Sequence, residues 1–517
     1  MARPVRSICI VGGGTAGWLT AGIIAARHAG ESGRGLAVTL VESESIGIIG
    51  VGEGTWPTMR STLKKMGISE TELFRECNAS FKQGARFSRW VTGEASDFYY
   101  HPLMLPEGFP GLDLAPFWTK YSDERADAPS FSAAVCFQEA VCELGLAPKL
   151  ITSPEYAGIA NYAYHLDAGK FASFVCQHCV RNLGIRHVVD DVTAVVKSDS
   201  GDIDYVATAN SGRLVADLFI DCSGLRSLLL GEALGVPFVD CSDVLFIDRA
   251  LALQVPYDNE QSDIVPHTLS TAQKHGWIWD IGLQSRRGVG YVFSSAHTTA
   301  DAALTELRAY VGDRHGDLQP REIKIAPGHR QTFWKGNCVA VGLSAGFLEP
   351  LEASALVLIE LSAELIAGTM PATRETMDIV ARRFNEATHY RWGRIIDFLK
   401  LHYILSRRTD AKFWIDNRDP ASIPDGLKEQ MELWRYRAPG DQDFMSNCEM
   451  FPAASYQYVL FGMGFRMEVA HLPLQRDSSG AQRAFTQNET LKSKWTRALP
   501  KNRALIDKIK AHGLQRI

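Results

Sequence analysis

One stretch near the start of the chain constrains the fold more than any other: Cys9-Ile10-Val11-Gly12-Gly13-Gly14-Thr15-Ala16-Gly17. Its apolar first half predicts a buried strand over residues 7–11, and the residues after it predict a helix over 16–28. The glycines between them have GxGxxG spacing, which allows a tight turn, close approach of a diphosphate, and close packing of the helix on the strand. We therefore predict that this turn binds a dinucleotide through Gly12, Gly14, Thr15, Ala16 and Gly17.

A second predicted strand supports this interpretation of the glycine turn. It covers residues 37–41 and ends at Glu42, at about the distance from the glycines where an acidic side chain binds a ribose hydroxyl. GxGxxG spacing alone is weak evidence, and a glycine-rich turn that binds nothing is the alternative. Strand, helix, second strand and acid in this order favour a dinucleotide-binding α/β fold.

Composition excludes several other classes of protein. The chain has 517 residues, 46% of them hydrophobic and 22% charged, which is ordinary for a globular protein of two or three domains. Its net charge of −5 gives no sign of a nucleic-acid or membrane-surface partner, and no apolar run reaches the roughly 20 residues of a membrane helix. The first strand begins too early for a signal peptide, and the ten cysteines are scattered, so we expect a cytoplasmic protein.

One pair of cysteines has the spacing of some zinc and redox sites. Cys176 and Cys179 form a CxxC pair, but they lie in an apolar helical run over residues 171–180 and the chain has no second CxxC. We interpret them as buried helix thiols and predict no metal site.

Three later turns are typical of the ligand-binding ends of α/β strands. The first is rich in glycine over residues 46–58, the second follows a strand at 221–226, and the third joins a strand to a helix over 339–355. At the start of that helix, Glu352 is explained equally well by the helix dipole and by a pocket that needs a carboxylate. In these turns we predict cofactor contacts by Gly50, Gly52, Asp221, Gly342 and Leu351.

Local pattern leaves the roles of Lys82, Trp277 and Trp279 open. Lys82 is the first charge of an alternating strand over residues 81–90, where a solvated surface lysine is the ordinary interpretation. The two tryptophans lie two residues apart, and therefore on one face of a strand. They either fill the core or wall off a pocket.

Beyond the glycine turn, four stretches resemble sequences of the flavin-dependent tryptophan halogenase family, and the likeness covers most of the chain. They are Gly50-Val51-Gly52-Glu53-Gly54-Thr55, Phe81-Lys82-Gln83-Gly84, Trp277-Ile278-Trp279-Asp280-Ile281 and Gly346-Phe347-Leu348-Glu349-Pro350-Leu351-Glu352. The third resembles the Trp-x-Trp-x-Ile signature that separates halogenases from flavin monooxygenases. Gly282 stands where the family usually has proline.

The resemblance implies an α/β, Rossmann-like FAD-binding fold of the flavin monooxygenase and halogenase type. We expect an FAD-binding and substrate-covering module over residues 1–395, which includes a mixed β region over about 244–330. Residues 396–517 would form a mainly helical subdomain that completes the substrate pocket. The protein would be a monomer or a homodimer.

The resemblance also implies the chemistry. A separate reductase would supply reduced FAD, which uses oxygen to convert chloride or bromide into hypohalous acid. Trp277 and Trp279 would keep the aromatic substrate away from the flavin, and the acid would travel to a second pocket. There Lys82 would hold it by a hydrogen bond or react with it as an amine. Glu352 would orient the electrophile, stabilise charge on the ring or accept the ring proton.

The halide site departs from the family pattern. Family members usually follow the glutamate with Ser-Thr and a small residue, where the halide is held, whereas this chain has Ala353-Ser354-Ala355. We expect Ser354 and Ala355 to border an altered halide site. This site would favour bromide, the more easily oxidised halide.

The substrate side departs further. Members specific for tryptophan bind the amino acid with a glutamate and a Phe-Trp pair. In this chain, Ser446 occupies the position of the glutamate, and Met450 and Phe451 occupy the positions of the Phe-Trp pair. Glu449 could replace the acid only if its loop is shifted. His101 matches a ring-stacking histidine of the family. We therefore expect His101, Met450 and Phe451 to line a pocket for indole or another electron-rich aromatic, with poor turnover of free tryptophan.

Two other functions are alternatives to halogenation. One is a flavin-dependent aromatic monooxygenase, and the other is a flavin-binding protein without catalysis. The tryptophan pair and the sequence contexts of Lys82 and Glu352 argue against both.

Overall fold

The computed structural model describes residues 3–28, 35–47, 52–312, 315, 317–444, 446–472 and 478–516. Gly50, one of the predicted cofactor contacts, lies outside the described residues.

The described strands follow the chain in this order: β1 (Ser7–Val11), β2 (Ala37–Glu42), β3 (Glu53–Gly54), β4 (Ser80–Lys82), β5 (Gly84–Ser88), β6 (Phe98–Pro102), β7 (Ala163–Leu166), β8 (Arg186–Val189), β9 (Val192–Lys197), β10 (Ile203–Thr208), β11 (Arg213–Val215), β12 (Leu218–Asp221), β13 (Phe238–Asp240), β14 (Arg249–Pro256), β15 (Thr268–Ala272), β16 (Gly276–Gly282), β17 (Arg286–Phe293), β18 (Arg321–Lys324), β19 (Gly328–Arg330), β20 (Trp334–Lys335), β21 (Cys338–Ala340) and β22 (Gly346–Phe347).

The described α-helices are α1 (Thr15–His28), α2 (Thr58–Lys65), α3 (Glu70–Glu76), α4 (Ala115–Glu124), α5 (Phe131–Val135), α6 (Gln138–Glu143), α7 (Ala168–Asn182), α8 (Ala300–Val311), α9 (Ser354–Gly368), α10 (Arg374–Ile404), α11 (Lys412–Asp416), α12 (Asp425–Trp434), α13 (Ala453–Gly462), α14 (Ser478–Ala498) and α15 (Asn502–His512). Short 3-10 turns at Gly224–Arg226, Gly342–Ser344 and Leu351–Ala353 lie in the second and third of the predicted ligand-binding turns.

The chain forms two compact units, each built from three segments. The first unit contains residues 1–79, 166–241 and 326–392, and the second contains 80–165, 242–325 and 393–517. The last change between units, at residues 392 and 393, falls near the boundary predicted at residue 395. The predicted division into a 1–395 module and a 396–517 subdomain stays a prediction.

The first unit is organised around a mostly parallel sheet with strand order β20-β21-β12-β1-β2-β8. Four of the five residues of β1 are buried, and β1 pairs in parallel with both β2 and β12. Helix α1 follows β1 and packs against α7 and α9. The ends of β1, β12 and β21 therefore meet at one edge of the sheet, which is where α/β folds bind their ligands.

The second unit contains a seven-stranded sheet with strand order β18-β14-β17-β16-β15-β5-β6. All seven residues of β16, the strand with the two tryptophans, are buried. Helix α8 covers part of the sheet, and its apolar side chains share a core with Ile278 and Tyr291. Because both faces of β16 are covered, its tryptophans lie inside the unit.

The alternating segment over residues 81–90 forms two strands instead of the single predicted strand. β4 pairs with β7, whereas β5 belongs to the seven-stranded sheet. Between them, the Gln83 amide donates to the Pro266 carbonyl, and Gly84 has a φ of +156°, so the backbone changes direction there. Lys82, the last residue of β4, is only 4% exposed. The surface interpretation of this lysine is therefore wrong.

The helical run predicted over residues 171–180 is confirmed as part of helix α7 (Ala168–Asn182). Helix α7 begins after Asp167, whose carboxylate accepts a hydrogen bond from the Lys170 amide as a helix cap. The described residues between 396 and 517 are mainly helical, as predicted. Among the described residues, no helix has the length and apolar composition needed to cross a membrane. The ten cysteines, all within the described part of the chain, form no disulfide. Cys176 and Cys179 both lie in α7, but only Cys179 is buried, so the prediction of a buried thiol is wrong for Cys176, which lies at the edge of the buried face of the helix and stays partly exposed.

Candidate active site

The glycine turn between β1 and α1 has the shape that a diphosphate requires. The Gly12 amide donates to the Val41 carbonyl at 2.8 Å, and Gly12 has a φ of +115°, which favours glycine. A Cβ at Gly12 would overlap the Cys222 carbonyl, and one at Gly17 would overlap the Gly12 carbonyl. A Cβ at Gly14 would meet no atom within 4 Å, so the backbone there is open to a ligand. Thr15 and Ala16 begin α1, whose first amides point toward this space.

Glu42, the predicted ribose ligand, lies against the glycine turn. Its carboxylate occupies the place that a Cβ at Gly13 would need, and the Nε2 atom of His187 lies 2.7 Å from it. The carboxylate remains 25% exposed, as a ligand contact requires.

The sulfur of Cys176, the Glu42 carboxylate and the His187 ring offer atoms within 4.8 Å of one another. Burial and the Glu42 charge raise the pKa of the Cys176 thiol to about 11, and the prediction of no metal site stays a prediction.

Asp221 joins the ends of the neighbouring strands of the first unit. Its carboxylate is fully buried and accepts hydrogen bonds from the backbone amides of Leu229 and Leu230. The Ser344 hydroxyl, in the turn after β21, donates to the same carboxylate at 3.0 Å. The structure therefore assigns Asp221 to holding loops together, and direct contact with a cofactor stays a prediction. Gly342 in that turn has a φ of +73°, and its Cβ would come within 2.6 Å of the Ala16 Cβ.

The turn before α9 has an unusual backbone. Glu352 and Ala353 adopt left-handed conformations with φ values of +62° and +55°. Helix α9 begins at Ser354, directly after these two residues. The Trp56 indole donates to the Glu352 carbonyl at 2.8 Å, which ties this turn to the glycine-rich loop that contains Gly52. Leu351, the last of the predicted contacts here, is fully buried.

The predicted halide residues occupy the N-terminus of α9. Ser354 is buried and Ala355 is partly buried, and no side chain of the preceding residue caps this helix end. The first-turn amides carry the partial positive charge of the helix dipole. This is an arrangement that can bind an anion.

Lys82 lies in the second unit among buried polar groups. In the β4–β7 pair, Ser80 lies opposite His165 and Lys82 lies opposite Ala163. The His165 ring is completely buried, and its pKa is far below its usual value because of burial and the nearby Lys82 charge. Burial of a lysine charge is costly, so polar groups around Lys82 must offset it.

Trp277 and Trp279 are both buried in the second unit. The Trp277 ring lies 6.1 Å from the Trp90 ring, and its indole nitrogen has no hydrogen-bond partner among the described residues. Trp279 covers Gly290 on the adjacent strand, where any side chain would overlap the indole. Both tryptophans therefore contribute to packing, and their role in separating flavin from substrate stays a prediction.

The structure brings two of the three predicted substrate-pocket residues together around Phe398 of α10. Phe451 stacks on Phe398 at a ring distance of 3.8 Å, and the His101 ring lies 5.8 Å from it. The Ser455 hydroxyl lies 2.9 Å from His101 Nε2. Met450 is also buried. Sequence analysis missed Phe398, although the aromatic-rich helical pattern around it was an available signal.

A partly buried charged cluster one turn before Phe398 was also missed. The Arg394 guanidinium lies 2.9 Å from the Asp397 carboxylate and 3.4 Å from that of Glu449, and it donates to the Tyr456 hydroxyl at 2.8 Å. The Glu449 carboxylate also accepts from the Met450 amide at 3.0 Å. Burial raises the pKa of Asp397 to about 6. No sequence pattern links Arg394 to residues so far along the chain.

The fold and these groups define the class of the protein. A parallel sheet, an open glycine turn, an acidic residue against that turn and an anion-type helix end belong to an α/β dinucleotide-binding protein. Lys82 belongs to the second unit, whereas Glu352, Glu42 and the glycine turn belong to the first.

Comparisons with known proteins give the family. A family model for tryptophan halogenases matches residues 7–478, so this chain belongs to the tryptophan halogenase family and is a flavin-dependent halogenase. It is 35% identical over 502 residues to tryptophan 6-halogenase SttH from Streptomyces toxytricini, covering 94% of each chain.

Solved structures agree with this membership. A tryptophan halogenase from Shewanella frigidimarina NCIMB 400 has 46% sequence identity and a TM-score of 0.96, with 99% of each chain covered. BrvH, a flavin-dependent halogenase from Brevundimonas sp. BAL3, has 32% identity and a TM-score of 0.85, covering 98% of this chain and 99% of its own. The predicted family and fold class are therefore confirmed.

Proposed function

We propose that this enzyme uses reduced FAD, oxygen and halide to halogenate an electron-rich ring of the indole type. The position of Lys82 carries the proposal, because this lysine is only 4% exposed and ends strand β4, in a stretch that resembles the family. The resemblance to the family implies that this lysine contacts hypohalous acid. The related proteins named above as tryptophan halogenases support an indole ring as the acceptor.

The first unit contains a site that fits FAD. When bound, FAD would supply the oxidation of halide to hypohalous acid. The open backbone at Gly14 would hold the diphosphate, and Glu42 would bind the ribose hydroxyls. The turns with Gly52, Gly342 and Leu351 would border the rest of the cofactor. A separate flavin reductase would deliver it in the reduced form.

The chain's own side chains would then direct the halogen. Lys82 would donate a hydrogen bond to hypohalous acid or accept the halogen as an amine. Glu352 would stabilise positive charge on the ring or take up the proton that halogenation releases. The uncapped amides of Ser354 and Ala355 would hold the halide. With one hydroxyl fewer than usual in the family, we propose that this site favours bromide.

The substrate is proposed to be free indole or a similar aromatic, with tryptophan as a poor substrate. Tryptophan-specific relatives use a glutamate to grip the amino acid, and Ser446 stands at that position. Glu449, the alternative acid, is already engaged by Arg394 and by the Met450 amide. The aromatic group of His101, Phe398 and Phe451 supports recognition of a flat ring.

The test combines the full chain with a generic flavin reductase, FAD, NADH and equimolar chloride and bromide. Indole and tryptophan are supplied together, and the products are identified by mass spectrometry. We expect brominated indole to dominate. Chlorinated tryptophan as the main product would contradict the proposed preferences for bromide and for indole. An oxygenated product formed without halide would favour the monooxygenase alternative.

Variants of Lys82 test its role. Lys82→Ala should oxidise reduced FAD normally but form no halogenated product. Lys149→Met is a matched control, because Lys149 is fully buried in the same unit and its ammonium group donates to the Pro154 carbonyl. Its product yield per folded enzyme should equal that of the wild type. Normal halogenation by Lys82→Ala would remove Lys82 from the mechanism.

A further inference from the structure

A partly buried ion pair ties the segment with Met450 and Phe451 to helix α10 of the second unit. We propose that Arg394 is a positioning residue for the aromatic substrate and acts through Glu449 and Tyr456. These two partners fix the pocket residues Phe451 and His101. The inference rests on the proposed function, because it assumes that these two rings border the substrate. It adds a specificity-determining residue that need not touch the substrate itself.

Arg394 and Phe398 are presented by one rigid element. They lie one turn apart in α10, so the guanidinium and the ring project from the same side of the helix. The Asp397 carboxylate, on the same helix, accepts a hydrogen bond from the guanidinium at 2.9 Å. The Gln430 side-chain oxygen, on α12, accepts another at 3.2 Å. The Arg394 side chain is only 11% exposed, and these contacts anchor it within the unit.

Glu449 connects this guanidinium to the pocket segment. One carboxylate oxygen lies 3.4 Å from Arg394 Nε, and the other accepts hydrogen bonds from the Met450 and Phe451 amides at 3.0 and 3.4 Å. The Phe451 ring, two residues after Glu449, stacks on Phe398 with 3.8 Å between the ring centroids. The segment is therefore held to α10 at two points, by an ion pair and by a ring stack.

Tyr456 connects the same guanidinium to α13. Arg394 Nη2 donates to the Tyr456 hydroxyl at 2.8 Å, and the Tyr456 ring meets the Phe398 ring edge to face at 4.8 Å. Ser455 precedes Tyr456 in α13, and its hydroxyl lies 2.9 Å from His101 Nε2. The position of α13 therefore helps to set the position of the His101 ring.

Two carboxylates share the Arg394 guanidinium, which makes the arrangement sensitive to its loss. Burial raises the pKa of Asp397 to about 6, and the nearby Glu449 charge contributes to this rise. Without the guanidinium, the two partly buried carboxylates would repel each other. We therefore expect Glu449 to turn away from α10 when Arg394 is replaced, and to take the Phe451 backbone with it.

The position of the substrate ring decides whether hypohalous acid is used or lost. In the proposed function the acid reaches the ring at Lys82, and halogen transfer requires the reacting carbon to lie beside it. A ring bound against a displaced Phe451 or His101 would spend less time in this position. More hypohalous acid would then leave the enzyme unused. Its formation should not slow, because the residues proposed to bind FAD belong to the first unit.

The test measures where the oxidant goes. The full chain receives reduced FAD from a generic reductase, together with oxygen, bromide, indole and excess methionine, whose thioether traps hypobromous acid that escapes. Catalase removes hydrogen peroxide. The ratio of methionine sulfoxide to brominated indole is measured, together with the KM for indole and the rate of oxidation of reduced FAD. A variant that is merely less stable lowers both products equally, so the ratio distinguishes positioning from loss of folded enzyme.

Three variants weaken the contacts of Arg394 at different points. Arg394→Met removes the guanidinium, and Tyr456→Phe removes a single hydroxyl. Glu449→Gln loses the charge but keeps an oxygen for the two backbone amides. Arg408→Met is the control, because Arg408 is 5% exposed and pairs with the Asp410 carboxylate at 2.6 Å in the same unit.

We expect Arg394→Met to raise the KM for indole and the ratio of sulfoxide to brominated indole by about fivefold or more. Glu449→Gln and Tyr456→Phe should change both quantities in the same direction by less. Combining Arg394→Met with Glu449→Gln should add little, because both changes break one contact. Arg408→Met should keep the wild-type ratio and KM, and all variants should oxidise reduced FAD at the wild-type rate.

A wild-type ratio and KM in Arg394→Met would refute the positioning role. If Arg394→Met does not fold, the same result in both Glu449→Gln and Tyr456→Phe would refute it. Additive effects of Arg394→Met and Glu449→Gln, or an equal rise of the ratio in Arg408→Met, would also refute it. These outcomes leave halogenation by the wild type intact, whereas a wild type that halogenates no aromatic would refute the proposed function and this inference with it.

Discussion

At the scale of single residues, the most informative feature is the backbone at Glu352 and Ala353. Two consecutive residues with side chains adopt left-handed conformations there, each at a cost of about 1–3 kcal/mol. The Trp56 hydrogen bond to the Glu352 carbonyl helps to hold this conformation. Such strain is common where a fold must aim a side chain or present helix amides to a ligand. The backbone of this turn therefore indicates a functional role for Glu352 more clearly than its position in the sequence does.

We predict that Ala353→Gly stabilises the protein. Glycine adopts a φ of +55° without a steric penalty, so the free energy of unfolding should rise by about 1 kcal/mol. Ala355→Gly is the control, because Ala355 lies in the first turn of α9, where glycine lowers stability by about 0.5–1 kcal/mol. Chemical denaturation measures both changes. Destabilisation by both variants would show that the left-handed turn is not strained.

At the scale of elements, the β1–α1 turn shows how a local pattern specifies a ligand site. The glycines differ in what they make possible, since Gly12 and Gly17 allow backbone to contact backbone, whereas Gly14 leaves space open. These steric requirements depend on residues within one strand–turn–helix unit and its neighbouring strand. The sequence could therefore predict this turn in detail, whereas it did not predict the left-handed backbone at Glu352 and Ala353, because left-handed residues have no clear signature when they are not glycine.

We predict that Gly14→Ala and Gly17→Ala have different consequences. Gly14→Ala should fold with a melting temperature close to that of the wild type but bind FAD at least about tenfold more weakly, because its methyl group would occupy the diphosphate space. Gly17→Ala should lower the stability of the folded protein, because its Cβ would overlap the Gly12 carbonyl. Thermal unfolding and flavin fluorescence titration distinguish the two. Equal FAD affinity in Gly14→Ala and the wild type would show that the diphosphate does not bind at Gly14.

At the scale of the whole molecule, buried carboxyl groups make stability depend on pH. Glu360 of α9 is 1% exposed and accepts hydrogen bonds from the hydroxyls of Thr58 and Thr62 in α2. Burial raises the pKa of Glu360 from 4.5 to about 7, and it raises that of Glu53 to about 7 as well. The native state then binds more protons than the unfolded state between these two pKa values. Stability from these groups is therefore present below pH 4.5 and is lost as pH rises to about 7.

We predict that Glu360→Gln flattens part of this dependence. At pH 8 the variant should be more stable than the wild type by up to about 3 kcal/mol, because it avoids ionisation of a buried group. At pH 4.5 the two should be similar, since the native Glu360 is then protonated. Glu364→Gln, which removes the partner of Lys65 nearer the surface, is the control and should not show this gain. Urea unfolding between pH 4.5 and pH 8 measures the difference in stability between Glu360→Gln and the wild type. A difference that does not grow with pH would contradict the prediction.

The sequence by itself determined the features that arise from neighbouring residues: the glycine turn, its helix, the acid Glu42 at the end of the next strand, and the family. These depend on short-range sterics and on motifs read along the chain. Only the tertiary structure decided the burial of Lys82, since the pattern of its strand alone indicates a surface residue. It also decided that Glu449 is held by Arg394, and that Lys82 and His165 lie on the same face of the β4–β7 pair. Such groups meet because distant strands and helices pack together, and burial changes their charge and reactivity in ways that no local pattern records.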